Sequence, residues 1–254
     1  MFVDSHAHLY AEQFSEDISE VLKRAQEMQV NKIFLPNIDR DSIAGMRKLA
    51  NDHPDLCYPM MGLHPCHVKE NYREELELVA AELSDRKYYG VGESGIDLYW
   101  DTTFKKEQIE AFEFQIHLSK KHNLPIIIHS RESLDLTIEI IAKHQDGALS
   151  GIFHCFNGTV SQCKQIADLG FMMGLGGVIT FKKANLERMV SYLPVEYLLL
   201  ETDAPYLSPV PYRGKRNESS HIPLIAEKIS EFKNIRVDEV ARITTENSQK
   251  LFKY

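Results

Sequence analysis

A chain of 254 residues, 43% hydrophobic and 26% charged, has the composition of a globular protein with a substantial core, which excludes a disordered or low-complexity polypeptide. Its 37 acidic residues outnumber 29 lysines and arginines, a formal net charge of -8, so no overall cationic field draws in nucleic acid or an anionic membrane, and any polyanion must be gripped locally. The first residues carry neither the basic nor the apolar region of a targeting signal, no run is long enough to span a membrane, and Cys57, Cys66, Cys155 and Cys163 lack C-x-x-C spacing. A cytoplasmic chain with reduced thiols and no obligate protein partner is expected.

Eight short apolar runs recur, with amphipathic stretches between them. The first, Phe2 to Asp4, precedes a helical pattern from Ser15 to Met28. Lys32 to Pro36 and Cys57 to Met61 are the second and third, and a helix is expected from Arg73 to Leu83. Tyr88 to Gly92 leads into the clearest helix, Phe104 to His122, where Phe104, Ile109, Phe112, Ile116 and Leu118 recur every three or four residues with charges on the other side. Pro125 to Ile128, Ser150 to Phe153 and Phe171 to Leu175 follow, with helices predicted over Leu134 to His144 and Val160 to Leu169. Tyr197 to Leu200 is the eighth run, followed by helices from His221 to Phe232 and Val237 to Phe252, the last packing outside.

Ile126-Ile127-Ile128 and Leu198-Leu199-Leu200 are continuously apolar, as parallel strands buried on both faces require, and glycines and prolines fall at the joints. Eight strand and helix units close naturally into a single (β/α)8 TIM-like barrel over residues 1 to 254, with an extra C-terminal helix; an open doubly wound sheet is the runner-up. In a barrel the carboxyl ends of all strands meet on one face. Here those ends carry His6 and His8, Glu93, His129, His154 and Asp203.

Side chains two apart on a strand face the same way, so His6 and His8 can hold one cation together. Alone the pair is weak, since such spacing arises by chance. Four of 11 histidines sitting just past apolar runs, with carboxylates at matching ends, is a stronger signal. Six ligands exceed what one catalytic zinc uses, which suggests two divalent ions with Glu93 bridging them, activating a shared water whose proton Asp203 accepts as general base. The ordinary reading of Asp203 is a cap on the turn before Ala204-Pro205. Zn, Mg, Mn, Fe and Ni all suit mixed imidazole and carboxylate ligands.

Read together, Asp4-Ser5-His6-Ala7-His8-Leu9, Gly62-Leu63-His64-Pro65, Gly92-Glu93-Ser94-Gly95-Ile96-Asp97, Ile128-His129-Ser130-Arg131, His154-Cys155-Phe156-Asn157-Gly158, Glu201-Thr202-Asp203-Ala204-Pro205 and Arg213-Gly214-Lys215-Arg216-Asn217-Glu218 resemble the TatD-type metal-dependent hydrolases, among the amidohydrolase-like barrels. The resemblance implies a TIM-like barrel, a two-metal site on these ligands with Glu93 in place of a modified lysine, and hydrolysis of DNA phosphodiester bonds, often as an exonuclease. Ser219 stands where the family usually has proline, and Asn157 where it usually has serine.

For substrate, Arg131, Arg213, Lys215 and Arg216 offer donors matched to phosphate oxygens, although a solvated loop is the ordinary reading of the last three. His64 is either a phosphate contact or a partner of a ligand, or simply a turn histidine before Pro65. Tyr99 and Trp100 could stack a base, with packing beneath their loop the simpler expectation. Three activities fit: a nuclease acting on DNA ends, a hydrolase of an amide, ester or small phosphodiester, and a non-catalytic metal-dependent binding protein.

Overall fold

The eight apolar runs become eight parallel strands in the computed structural model, which describes residues 1–254. They are β1 (Phe2–Asp4), β2 (Val30–Pro36), β3 (Cys57–Met60), β4 (Val91–Asp97), β5 (Ile126–Arg131), β6 (Gly151–Phe153), β7 (Met172–Leu175) and β8 (Leu198–Leu200). The helices are α1 (Ile18–Glu27), α2 (Ser42–Asp52), α3 (Tyr72–Asp85), α4 (Lys105–His122), α5 (Leu134–His144), α6 (Val160–Asp168), α7 (Glu187–Tyr192), α8 (Ile222–Lys233) and α9 (Val237–Phe252). None is long and apolar enough to cross a membrane.

The strands pair in order as β1-β2-β3 and β4 through β8. Backbone hydrogen bonds join the two groups at both edges. Met61 N–H donates to Gly90 (3.1 Å) and Gly92 N–H to Met61 (2.9 Å); across the other seam, Ser5 N–H donates to Leu200 (2.9 Å) and Asp203 N–H to His6 (2.9 Å). The result is a ring with helices outside, as the alternation implied and the open-sheet alternative did not.

Two apolar clusters follow from the pleat. Residues facing outward, such as Ile33, Leu35, Ile126, Ile128, Leu198 and Leu200, belong to a core of 57 buried residues shared with the helices. Their neighbours on the inward face, Val3, Phe34, Tyr58, Met60, Ile127, Ile152, Met172 and Leu199, come from seven strands and form a smaller cluster with Leu251 and Phe252. The C-terminal helix therefore does more than pack outside: it lies against β1 and β8, while its end turns under the ring and stacks Phe252 on Phe34, centroids 4.0 Å apart.

Three expectations shift. Strand β4 begins three residues later than the apolar run and continues through Glu93 to Asp97, its glycines serving close packing. Gly92 has φ 156°, and a Cβ there would come 2.7 Å from Ile127 Cβ. Two helices, α2 and α7, were not anticipated: α2 carries Gly45 in its interior, which masks the stripe of Ile43, Met46 and Leu49, and α7 is only 6 residues long.

Candidate metal centre

All six residues placed at strand ends by sequence meet on one face of the ring. Glu93 stands in the middle, 2% exposed, and its two oxygens look in different directions. Oε2 lies 3.2 Å from His6 Nε2 and 3.3 Å from His8 Nε2; these two nitrogens are 3.2 Å apart, and Asp203 Oδ1 is 3.7 and 3.6 Å from them. Oε1 lies 3.0 Å from His129 Nδ1, 2.9 Å from His154 Nε2 and 3.3 Å from His64 Nε2.

The second nitrogen of each ring shows which histidines present a lone pair. Tyr10 donates its hydroxyl to the Pro36 carbonyl (2.5 Å), so it accepts from His8 Nδ1–H (2.9 Å), leaving His8 Nε2 unprotonated. Asp97 accepts from His129 Nε2–H (2.9 Å), which leaves His129 Nδ1 bare toward Glu93. Burial works against the charge of Asp97, but this hydrogen bond and two backbone amides bring its carboxyl down to about 2. Glu201, fully buried, stands 3.5 Å from His154 Nδ1 and also accepts from the Cys155 amide. His64 differs: Cys66 N–H donates to its Nδ1 (3.0 Å), so in the neutral ring Nε2 carries the proton and acts as a donor. Burial keeps that ring neutral, its pKa pushed down to about 4.

A carboxylate oxygen 3.0 Å from His129 Nδ1 and 2.9 Å from His154 Nε2 raises the affinity of both rings for positive charge, so each gap is a place for a proton or for a metal cation. That donor set fits a divalent metal: His6, His8 and Asp203 have ligand atoms within 4.8 Å of one another, as do His6, Glu93 and His154, whereas His64, equally near Glu93 and His129, turns a proton toward them. His6 Nδ1 has no hydrogen-bond partner although fully buried, a cost a folding-only role would not explain. Burial opposes the charge of Glu93, yet the surrounding histidines hold it well below the usual carboxylate range. Burial also pushes Asp203 up, to about 6, with His154 and His8 pulling the other way.

Asp4 fastens this face. Wholly buried, it accepts from the backbone of His6 (3.3 Å) and Thr202 (3.0 Å) and from the hydroxyls of Thr202 and Ser219 (2.6 Å each). Burial pushes its carboxyl up to about 7 against the pull of those donors. The end of β1 is thereby tied to the end of β8, and Ser219, the departure from the family pattern, supplies one of the ties. Asp203 itself sits at φ 56°, a left-handed conformation that Asp tolerates.

A cavity of about 460 Å³ opens above the cluster, lined by His64, Arg131, Trp100 and Tyr206 among others. Arg131 thus reaches the site. Arg213 and Lys215 lie on the β8 to α8 loop, Arg213 stacked on Phe181 (3.6 Å) and Lys215 beside Tyr212 (5.9 Å); neither they nor Arg131 has a carboxylate within ion-pair distance, so the ordinary reading of a solvated loop holds for where those two lie. Arg216 is drawn elsewhere: its guanidinium makes a two-pronged bond with Asp17 (2.8 and 2.7 Å) and donates to the Gln13 carbonyl. Glu218 is likewise held by Arg24 (2.8 and 2.6 Å), and Asn217 donates to the carbonyls of Thr202 and Tyr206 (2.7 Å each), so this half of the motif braces the loop carrying Asp203. Sequence reasoning missed Tyr10, Asp97, Glu201 and Asp4. Asp4, Asp97 and Glu201 stood in quoted motifs, and a carboxylate near a histidine was the available signal.

A ring of parallel strands with buried histidines and acids at its carboxyl end is the build of a metal-dependent hydrolase. Comparison with known proteins agrees. Residues 3–253 match the family model described as TatD related DNase. The chain is 38% identical over 254 residues to an uncharacterized metal-dependent hydrolase, YabD, of Bacillus subtilis, covering 100% of this chain and 99% of that one. It is 32% identical to YcfH of Escherichia coli, with the same description, over 98% of this chain and 95% of the relative. Among solved structures, the TatD homologue YjjV of Escherichia coli superposes with a TM-score of 0.94 at 30% identity, covering 100% of this chain and 98% of the other. The chain belongs to the TatD family and is a metal-dependent hydrolase.

Proposed function

We propose that this hydrolase cleaves phosphodiester bonds at the ends of DNA strands, using two divalent cations. The observation that carries the reading is the split of Glu93 between two ligand sets. His6, His8, Asp203 and Glu93 Oε2 would hold one ion; His129, His154 and Glu93 Oε1 would hold the other. Bound there, the cations would supply Lewis acidity and lower the pKa of water. Zn, Mn, Fe or Ni suits the imidazole-rich set, with Mg an alternative where carboxylates dominate.

The chain's own groups account for the rest. Asp203 accepts the proton of the attacking water, a task suited to a carboxyl raised toward neutrality. His64 presents its Nε2–H to a phosphate oxygen. Arg131, Arg213 and Lys215, cations without carboxylate partners in a chain of net charge -8, offer the local grip a polyanion needs. Arg216 contributes through the loop it braces. The four cysteines are unbonded, in keeping with a reducing cytoplasm.

Purified protein incubated with Mn2+ or Mg2+ and end-labelled single-stranded DNA is expected to release nucleotides, and its Glu93→Ala variant is not. Failure of the wild type to release them, with turnover of a small ester or amide instead, would reject DNA as substrate while retaining the hydrolase.

A further inference from the structure

Exposed aromatic rings are unevenly placed on this molecule. Of nine large apolar side chains left exposed, five lie on two loops: Tyr99 and Trp100 after β4, and Tyr206, Val210 and Tyr212 after β8. Trp100 is 69% exposed, Tyr99 53% and Tyr206 51%. The sequence expectation that Tyr99 and Trp100 pack beneath their loop does not hold. Leaving a tryptophan this open costs apolar contact with water and gains the fold nothing.

The position of these rings is informative. Strands four apart in an eight-strand ring are opposite one another, so the loops after β4 and β8 face each other across the mouth of the cavity. Trp100 and Tyr206 both line that cavity, together with His129 and Asp203. On the Trp100 side, the Arg131 guanidinium lies 3.7 Å from the centre of the Tyr99 ring and 5.2 Å from that of Trp100. On the other, Lys215 lies 5.9 Å from the Tyr212 ring. The Trp100 bank therefore pairs a cavity-lining ring with a cation that no carboxylate neutralises, while the loop that carries Tyr206 holds a second such cation beside Tyr212, outside the cavity lining. A nucleotide has the complementary parts, a flat base and an anionic phosphate, spaced by one sugar.

We infer that Trp100 and Tyr206 are stacking platforms for the bases flanking the scissile phosphate at an unpaired strand end, so that the enzyme recognises bases as well as backbone. This rests on the nuclease reading above and adds to it. Stacking is indifferent to base identity, so the platforms impose no sequence preference, yet they discriminate against nucleotides that lack a base. Tyr99 holds Arg131 in place beneath the stacked base, and acts by positioning it.

The chain has a single tryptophan, so its emission reports on Trp100 alone. Metal-loaded protein is titrated with a nuclease-resistant phosphorothioate oligonucleotide, and with the same backbone made abasic at its terminal nucleotides. Strong quenching by the first and little by the second is expected, with about tenfold weaker binding of the abasic strand. Trp100→Leu and Tyr206→Leu should each raise KM for the normal strand about tenfold and close the gap between normal and abasic strands, with kcat affected less. Equal quenching by both strands, or variants that keep the wild-type ratio between them, would overturn the inference. So would quenching produced by concentrating the protein alone, which would mark the rings as a self-association surface. Selective quenching without turnover of any DNA would uphold base recognition and reject nuclease action, which separates the two claims.

Discussion

The two ends of the barrel are built on opposite terms. At the floor, Phe34, Tyr58, Phe252 and their neighbours fill the ring with apolar surface, and the polar groups left in want of a partner are the hydroxyls of Ser248 and Tyr254, with no charged group among them. At the mouth, Asp4, His6, His8, Glu93, His154 and Glu201 are all buried, with His6 Nδ1, His154 Nδ1 and Glu201 Oε2 unpartnered. One end gains stability from burial; the other gives stability up to hold charge in place. The comparison teaches that stability and activity should be separable by mutation.

The largest expected effect breaks the mouth alone. Glu93→Ala should lower hydrolysis about a thousandfold or more, since the transition-state stabilisation at such a site is worth several kcal/mol, while thermal unfolding of the metal-free protein shows no loss of stability. A falling melting temperature in step with activity would count against the contrast. Next, Phe252→Ala should break the floor alone: about 3–5 kcal/mol of stability lost in denaturant unfolding, with turnover per folded molecule unchanged. A third variant sharpens the boundary. Asp97→Asn removes the acceptor that fixes the His129 tautomer and should cost about 10–100-fold in metal affinity or rate, measured by competition with a chelator.

Smaller effects probe the rim. Arg213→Ala should reduce the slope of log affinity against log salt by about 1 for a bound strand, whereas Arg216→Ala should destabilise the fold and leave the slope intact. Acid should act through the Arg24–Glu218 pair. Burial works to raise Glu218, but Arg24 and Ser220 prevail and hold it below the usual carboxylate range. A carboxyl depressed in the folded state contributes stability that is whole above its unfolded value, near 4.5, and is lost as pH falls through the folded value. Unfolding scans between pH 6 and pH 3 should therefore show a shallower acid decline in Arg24→Met than in the wild type.

The sequence carried the mouth's frame further than its furnishing. Continuous runs such as Ile126 to Ile128 announce strands buried on both faces, and polar residues just beyond such runs must sit at the ring's edge, so His129 and His154 were placed by pattern alone. What the pattern lacked was partnership. Asp17 and Arg216 are 199 positions apart, and no spacing rule joins them, which is why Arg216 reads as a substrate cation and turns out to be engaged. Gly92 and Gly95 hid the length of β4 in the same way: the apolar run stops at Gly92, and nothing in the sequence shows that both glycines pack tightly against β5. The floor was illegible for a related reason: a helix end that tucks beneath a ring has the same periodicity as one that stays outside.

The seam between β1 and β8 has a consequence for the order of assembly. Ser5 bonds to Leu200 and Ala7 bridges to Ala204, so β1 waits for some two hundred further residues to be synthesised before its edge is covered, and the plug at Leu251 and Phe252 arrives later still. Such long-range closure makes for slow folding, with a sticky, half-curved sheet exposed in the nascent chain. With the ligands proposed above drawn from both sides of that join, an ion would be bound firmly only once the circle is complete, so metal uptake should be a late event that locks the closed barrel.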